Sequence, residues 1–220
     1  MLIIFDLDDT LIDTSGSYLP FKLHLALKAM VDAGLKVDSE KEAFDKLMRL
    51  THSANGKSTI KKFLQQTQWD ENIFNVGVDA YYNKAEGGKV DPLPNTLNVL
   101  QELSQEHNLI LLSYGSEKEQ YHKMQLAKIN VNWFKKIIIA DQYNKFPYYQ
   151  QLLKEFSINP NQVLVIGDKY DGDLLPAKQL GITIVHFMHG RGNINPPSLE
   201  SVDYQIDNIL KVKEIIKELK

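Results

Sequence analysis

The chain has 220 residues, a formal net charge of -3 at pH 7 and a hydrophobic fraction of 43%, which is the composition of a globular protein. Its length allows one large domain, or a core domain with a modest insertion. Lysine and arginine are spread along the chain without a basic block, so we expect the protein to bind neither nucleic acid nor a membrane surface. The absence of cysteine excludes disulfides and cysteine nucleophiles and fits a reducing compartment, so we expect a cytoplasmic protein.

The first predicted element is a strand over residues 2–5, and a block of purely helical patterns follows it. Apolar residues at helical spacing mark four helices in this block, and Ser39 with Glu42 forms a capping signal for the second of them. The stretches at residues 14–17 and 87–88 are rich in small residues and are expected to be flexible. The pattern predicts an all-helical insertion over residues 14–87, hinged on two linkers, within a core made of residues 1–13 and 88–220.

Strands and helices alternate in the rest of the chain. Short, continuously apolar segments are typical of parallel strands covered on both faces, and they occur at residues 109–112, 137–140, 163–166 and 182–185. Helical patterns accompany them at residues 97–103, 149–156 and 174–180, and an edge strand with an amphipathic helix is expected over residues 204–220. The alternation predicts an open α/β parallel sheet, whose ligands bind beyond the carboxyl ends of its strands.

The residues directly after the first strand give the strongest indication of chemistry. Asp6 and Asp8 lie two positions apart in the sequence DLDDT, on a chain that is leaving a strand. Two such carboxylates can converge on one cavity. Covalent phosphoryl transfer needs one carboxylate to attack phosphorus and another to handle the proton of the leaving oxygen. The alternative is an acidic turn that caps the following segment.

The loop after the strand at residues 163–166 is rich in carboxylates. Its sequence is GDKYDGD, so that Asp168, Asp171 and Asp173 concentrate negative charge at one strand end. This arrangement is costly unless a cation lies there, and Mg²⁺ prefers oxygen ligands and typically binds through only a few carboxylates. The alternative is a solvated loop that is rich in turn-forming residues.

Two further polar residues follow other strands. Ser113 ends the second apolar segment, where its hydroxyl could hold a phosphoryl oxygen or simply cap the chain. Lys145 follows the third segment by a short loop, where a fixed ammonium could neutralise a nucleophile and a phosphate. Lys135 and Lys136 are alternatives for this cation.

In this combination and order, the four elements resemble the haloacid dehalogenase-like hydrolase superfamily. Its pattern is Asp-x-Asp-x-Thr after the first strand, Ser or Thr after the second, a downstream Lys, and Gly-Asp with a further Asp after the fourth. The matching residues are Asp6, Asp8 and Thr10, then Ser113, Lys145, Gly167, Asp168 and Asp173. The resemblance covers nearly the whole chain, because the helical insertion falls where the family has its cap. The family often has Gly where this chain has Asp9, which we assign as a capping or hinge residue.

The resemblance implies a Rossmann-like core with a helical cap, a Mg²⁺ cofactor and catalysis through an aspartyl-phosphate. Asp6 is implied as the nucleophile, and Asp8 as the acid for the leaving oxygen and then the base for water. Ser113 and Lys145 are implied to stabilise charge on the phosphoryl oxygens. The implied metal ligands are the carboxylates of Asp6, Asp168 and Asp173 and the backbone carbonyl of Asp8. Whether Asp171 also binds the metal is left open.

The expected activity is hydrolysis of a small phosphorylated metabolite. A phosphomutase of the same family is the alternative, and it needs a cap that keeps water from the intermediate. A dehalogenase attacks carbon without a metal or a leaving-group acid, so Asp8 and the acidic loop argue against it. A non-catalytic binding protein would be free to lose Asp6 or Asp8, and both are present. The sequence specifies neither the substrate, among sugar phosphates, phosphoglycolate and nucleotides, nor the oligomeric state.

Overall fold

The structure is a computed structural model that describes residues 1–51, 56–83, 88–194 and 196–219. The chain divides into two compact units. One consists of Met1–Ser15 with Val90–Lys220, and we call it the core unit; the other, Gly16–Lys89, we call the helical unit.

The helical unit, as far as the structure describes it, contains α1 (Leu19–Asp32), α2 (Glu40–Leu50), α3 (Gly56–Gln65) and α4 (Glu71–Asn83). Apolar faces of these helices meet in one cluster, in which Leu23, Leu47 and Phe63 are fully buried. Ser39 caps α2 by accepting a hydrogen bond from the N–H of Glu42 at 3.3 Å, as its position predicted. The all-helical character expected of this segment is confirmed for its described residues. The predicted linker glycine at position 87 lies outside them.

The core unit is built on a parallel sheet. Within the described residues its strands are β1 (Leu2–Phe5), β2 (Asn108–Tyr114), β3 (Lys136–Ala140), β4 (Val163–Gly167), β5 (Thr183–Phe187) and β6 (Tyr204–Ile206). Their spatial order is β3-β2-β1-β4-β5-β6, and each neighbouring pair is parallel. This is the Rossmann-like α/β sheet expected from the sequence. The apolar residues of β1 are at most 1% exposed, because layers of the core cover the central strand on both faces.

The described helices of the core unit are α5 (Thr96–Glu106), α6 (Glu117–Leu126), α7 (Phe146–Glu155), α8 (Leu175–Lys178) and α9 (Lys211–Glu218). The sequence patterns did not predict α6. Its residues are mostly polar or charged, and two of its buried positions are Gln120 and Lys123, so it lacks apolar residues at helical spacing. Among the described residues no helix combines the length and the apolar character that crossing a membrane requires.

Strand β5 extends further than the sequence indicated. The predicted strand stopped before His186, and this end was wrong, because β5 continues to Phe187 and His186 pairs in register with Gln205 of β6. His186 is fully buried although it is polar. Burial is possible because both ring nitrogens have hydrogen-bonding neighbours: Nε2 lies 3.1 Å from the carbonyl oxygen of Asp168, and Nδ1 lies 3.1 Å from Nε2 of Gln205.

Candidate active site

The carboxyl ends of β1, β2 and β4 meet at one edge of the sheet. Phe5, the last residue of β1, lies beside Leu111 of β2 and Ile166 of β4. The N–H of Asp6 donates to the carbonyl oxygen of Ile166 at 2.9 Å, which continues the pairing by one residue. Asp6 therefore lies at the end of the central strand, and the residue as a whole is only 6% exposed.

Lys145, at the start of α7, is the cation that contacts Asp6. Its Nζ lies 2.6 Å from Oδ1 of Asp6, 2.6 Å from Oδ1 of Asp173 and 2.8 Å from the carbonyl oxygen of Leu112. These three acceptors match the three ammonium hydrogens. Burial by itself would lower the pKa of Lys145, but the charges of Asp173 and Asp6 outweigh burial and raise it, so the ammonium is kept charged.

The two alternative lysines lie away from this group. Lys136 begins β3 at the opposite end from Ala140, and its Nζ pairs with a carboxylate oxygen of Glu155 at 2.6 Å. Lys135 precedes it and is exposed. Of the three lysines considered from the sequence, the structure brings only Lys145 to Asp6.

Asp6, Asp168 and Asp173 form a buried carboxylate cluster. Each offers an oxygen, and these oxygens lie within 4.8 Å of one another. Both carboxylate oxygens of Asp168 are buried and have no hydrogen-bond partner. Burial raises the pKa of Asp168 well above its usual value and also raises that of Asp6, although nearby lysines act in the opposite direction. The buried, unsatisfied oxygens of Asp168, beside the carboxylates of Asp6 and Asp173, suit a hard divalent cation such as Mg²⁺.

Asp173 and Asp171 have different surroundings. Asp173 is buried, and its Oδ2 accepts a hydrogen bond from the N–H of Lys169 at 3.1 Å. A Cβ added at Gly167 would lie 2.8 Å from the Cβ of Asp173, so glycine at this position makes room for the carboxylate. Asp171 is exposed and does not belong to the carboxylate cluster. The structure therefore brings Asp173, and not Asp171, to Asp6 and Asp168.

The carboxylate of Asp8 is held apart from this cluster. Nζ of Lys123 lies 2.6 and 2.8 Å from its two oxygens, Nε2 of Gln120 lies 3.0 Å from Oδ2, and the hydroxyl of Thr14 donates to Oδ1. Burial alone would raise the pKa of Asp8, but the charges of Lys123 and Arg191 and the hydrogen bonds outweigh it, so the pKa lies below its usual range. Asp8 is therefore ionised in this arrangement.

Ser113 lies in the same buried network. It belongs to β2, is fully buried, and its Oγ lies 2.6 Å from Nε2 of Gln120. Gln120 therefore joins Ser113 to Asp8. Neither Gln120 nor Lys123 was identified from the sequence. The only available signal was their spacing of three positions in a polar segment after β2, and that segment was not recognised as a helix.

Asp9 ties the start of the helical insertion to the loop after β5. Its φ of 58° lies in the left-handed region, where glycine is favoured and aspartate is tolerated. Its carboxylate accepts hydrogen bonds from the N–H and hydroxyl of Ser15 at 2.7 and 2.5 Å and from Nε of Arg191 at 3.1 Å. A Cβ at Gly190 would lie 2.5 Å from Cγ of Asp9, so the loop approaches this closely only with glycine.

The segment at residues 14–17, expected to be flexible, takes part in this network. Thr14–Tyr18 forms a π-helical turn, in which Thr14 bonds to Asp8 and Ser15 bonds to Asp9. Small polar residues predict a linker from sequence alone. Here their hydroxyls and N–H groups are recruited by the carboxylates that follow β1, and this gives the segment a regular conformation.

The chain is similar to several known proteins. The chain is 28% identical over 229 residues to a glyceraldehyde 3-phosphate phosphatase of Methanocaldococcus jannaschii, with 99% of this chain and 97% of that protein covered. It is 26% identical over 226 residues to a protein of the same name from Pyrococcus furiosus, with 98% and 92% covered. A haloacid dehalogenase-like family hydrolase from Xanthomonas campestris has the same fold, with a TM-score of 0.70 at 15% identity and coverage of 100% and 95%.

The family model for haloacid dehalogenase-like hydrolases matches residues 3–187, which is most of the chain. The matched region contains all of the residues that the sequence motifs singled out, from Asp6 to Asp173. The resemblance inferred from those motifs is thereby confirmed, and the chain belongs to the haloacid dehalogenase-like hydrolase family.

Proposed function

We propose that this protein is a Mg²⁺-dependent phosphatase that hydrolyses a small phosphomonoester through an aspartyl-phosphate on Asp6. The observation that carries the proposal is the buried group at the carboxyl end of β1. There Asp6 contacts Lys145 at 2.6 Å and shares a carboxylate cluster with Asp168, whose oxygens have no hydrogen-bond partner. The curated relatives, which are named phosphatases, support the same activity.

The proposed metal ligands are the carboxylates of Asp6, Asp168 and Asp173 and the backbone carbonyl of Asp8. The side chain of Asp8 is not proposed as a ligand, because it does not belong to the carboxylate cluster and instead contacts Lys123 and Gln120. A bound Mg²⁺ would offset the repulsion between the Asp6 carboxylate and a phosphate dianion. Lys145 contributes to the same end, since its ammonium remains charged between Asp6 and Asp173.

In the first step, a carboxylate oxygen of Asp6 forms a bond to phosphorus while the bond from phosphorus to the leaving oxygen breaks. The leaving oxygen takes a proton from Asp8. In the second step, water attacks the phosphorus of the aspartyl-phosphate and gives a proton to Asp8. The bond between phosphorus and the Asp6 oxygen breaks, so phosphate and free Asp6 are released. Ser113 donates a hydrogen bond to a phosphoryl oxygen in both steps.

The resting state of Asp8 suits the second step directly. Its lowered pKa keeps it as the carboxylate, which is the form that accepts a proton from water. The first step needs the protonated form. A phosphate dianion that binds beside Asp8 shifts the pKa upwards, because a nearby negative charge disfavours the carboxylate.

We propose a small phosphorylated metabolite as the substrate, and glyceraldehyde 3-phosphate is the first compound to test, because the curated relatives carry that name. The cytoplasmic location stays a prediction from composition.

The activity is tested by incubating the purified protein with glyceraldehyde 3-phosphate, phosphoglycolate, sugar phosphates and nucleoside monophosphates, and measuring released phosphate. We expect release with Mg²⁺, loss of release with excess chelator, and recovery when Mg²⁺ is added back. Magnesium binding measured calorimetrically should be lost in an Asp168→Asn variant and retained in Asp171→Asn, its matched control on the same loop. Full turnover in chelator would contradict the metal assignment, and rearranged sugar phosphates without free phosphate would identify a mutase instead.

We further propose that the helical unit is a cap that controls access of substrate and water. It has its own apolar cluster and is inserted in the chain directly after the residues that follow β1. Vanadate, a phosphate mimic, should therefore change amide hydrogen exchange in residues 14–18 and 88–90, where the chain enters and leaves the unit. The amides of β1 serve as the control, since a buried central strand should not respond. Unchanged exchange in both connecting segments would contradict a cap role.

A further inference from the structure

Two buried polar side chains of α6 contact the predicted catalytic residues. Gln120 is 1% exposed and Lys123 is 5% exposed. They are three positions apart on a helix, so their side chains lie on the same face. Lysine and glutamine are rarely buried this completely unless their hydrogen bonds are satisfied. Their partners therefore indicate why α6 carries them.

Lys123 fixes both oxygens of the Asp8 carboxylate. Its Nζ lies 2.6 Å from Oδ1 and 2.8 Å from Oδ2. A carboxylate held by both oxygens can neither rotate about its Cβ–Cγ bond nor shift without breaking a contact. Proton transfer requires hydrogen-bond reach of roughly 2.6 to 3.2 Å between the reacting atoms, so fixing this group fixes where a proton is exchanged.

Gln120 sets the direction of the Ser113 hydroxyl. Its Nε2 lies 3.0 Å from Oδ2 of Asp8, 2.6 Å from Oγ of Ser113 and 3.2 Å from the carbonyl oxygen of Tyr114. A carboxylate and a carbonyl only accept hydrogen bonds, so the amino group of Gln120 must face them. The amino group has only two hydrogens for these three acceptors, so one hydrogen is shared. Because an amide nitrogen does not accept, Ser113 is the acceptor in its 2.6 Å contact with Gln120, and its own hydrogen has no acceptor among the described residues.

We infer that Gln120 and Lys123 are positioning residues that divide the work between two catalytic groups: Lys123 holds Asp8 for proton transfer, and Gln120 orients Ser113 to donate to a phosphoryl oxygen. The inference rests on the proposed phosphatase function and adds to it two residues on an element that the motifs do not include. The two residues differ in their expected kinetic signatures, because one acts through Asp8 and the other through phosphate binding.

Lys123→Met should slow hydrolysis of an alkyl phosphate by roughly 10²-fold, within the range of general acid–base catalysis. The loss on p-nitrophenyl phosphate should be smaller, since p-nitrophenolate leaves without a proton, and inhibition by vanadate should be unchanged. Lys118→Met, at an exposed position of the same helix, is the matched control and should be near wild type. Lys123→Arg, which keeps the charge, should recover part of the lost rate.

Gln120→Leu should weaken inhibition by vanadate roughly tenfold, as expected when one hydrogen bond to the phosphoryl mimic is lost.

The decisive measurement for Lys123 is a double-mutant cycle with Asp8. If Lys123 acts through Asp8, adding Lys123→Met to Asp8→Asn should slow the enzyme no further. Thermal unfolding of every variant identifies any that fails to fold. If one does fail, the test relies on the conservative Lys123→Arg and Asp8→Asn variants instead.

Three results would overturn the inference. One is an equal loss for Lys123→Met on both esters, which indicates a structural role. Another is a full additional loss in the Asp8→Asn background. The third is unchanged vanadate inhibition in Gln120→Leu. Wild-type protein that hydrolyses no ester with Mg²⁺ would instead refute the proposed function, and the inference with it, so the two failures are distinguishable.

Discussion

Replacing Asp6 by asparagine is expected to reduce turnover by roughly 10⁴-fold or more, because an amide cannot attack phosphorus to form the acyl phosphate. Asparagine is preferred to alanine, since it leaves a polar partner for the buried Lys145, whose Nζ lies 2.6 Å from the Asp6 carboxylate. Wild-type protein quenched in acid during turnover should show a phosphorylated species by intact mass. The Asp6→Asn variant should show none with any ester.

Asp171→Asn is the matched control for this variant. Asp171 is exposed and lies outside the carboxylate cluster, so its activity should stay within a few-fold of wild type. An Asp6→Asn enzyme that retains substantial activity, or that still becomes phosphorylated, would show that another group is the nucleophile. The aspartyl-phosphate mechanism would then be wrong even if the protein remains a phosphatase.

Replacing Asp8 by asparagine should impair the enzyme in a manner that depends on the leaving group. General acid–base help is worth roughly 10² to 10⁴ in rate, and an alkyl phosphate needs it in both steps. With p-nitrophenyl phosphate the first step needs little protonation, so Asp6 should still be phosphorylated. Hydrolysis of that intermediate should lag, because no carboxylate accepts the proton of water. Asparagine again suits the site, since alanine would leave the ammonium of Lys123 buried without its partner.

The measurement is the rate of each ester together with intact-mass detection of the phosphorylated variant. We expect a larger loss on the alkyl ester than on the aryl ester, and accumulation of phosphoenzyme with the aryl ester. A variant that is inactive on every ester and never phosphorylated, alongside an active Asp6→Asn variant, would mean that the two roles are exchanged.

The two variants together separate attack from proton transfer. Asp6 lies against Lys145 and the carboxylate cluster, whereas Asp8 lies against Lys123 and Gln120. Two carboxylates only two positions apart in the chain are therefore each paired with a buried lysine, but only Asp6 belongs to the carboxylate cluster. Burial raises the pKa of Asp6, while the charge of Lys123 and the hydrogen bonds outweigh burial and lower that of Asp8. The different contacts of the two carboxylates fit the separate tasks proposed for them, attack on phosphorus for Asp6 and proton transfer for Asp8.

The sequence by itself determined the fold class, the helical insertion and the residues at the strand ends. These features follow from local sequence patterns. A short apolar segment followed by a polar residue marks the end of a buried strand, and parallel strands bring such ends to one edge of the sheet. Asp6, Ser113 and Asp168 could be found in this way. The order and spacing of the family's motifs added Lys145 and Asp173, which composition alone would not have distinguished from surface residues.

Only the tertiary structure decided which side chains complete the site. Lys123 lies 115 positions from Asp8 in the chain, and Lys145 lies 139 positions from Asp6, so no local pattern records either pair. Helix α6 lacks apolar periodicity because its inward face carries the polar groups that contact Asp8 and Ser113. A buried charge is stabilised by partners that are distant in sequence, so the lysine partners of Asp6 and Asp8 become visible only once the sheet has brought its strand ends together.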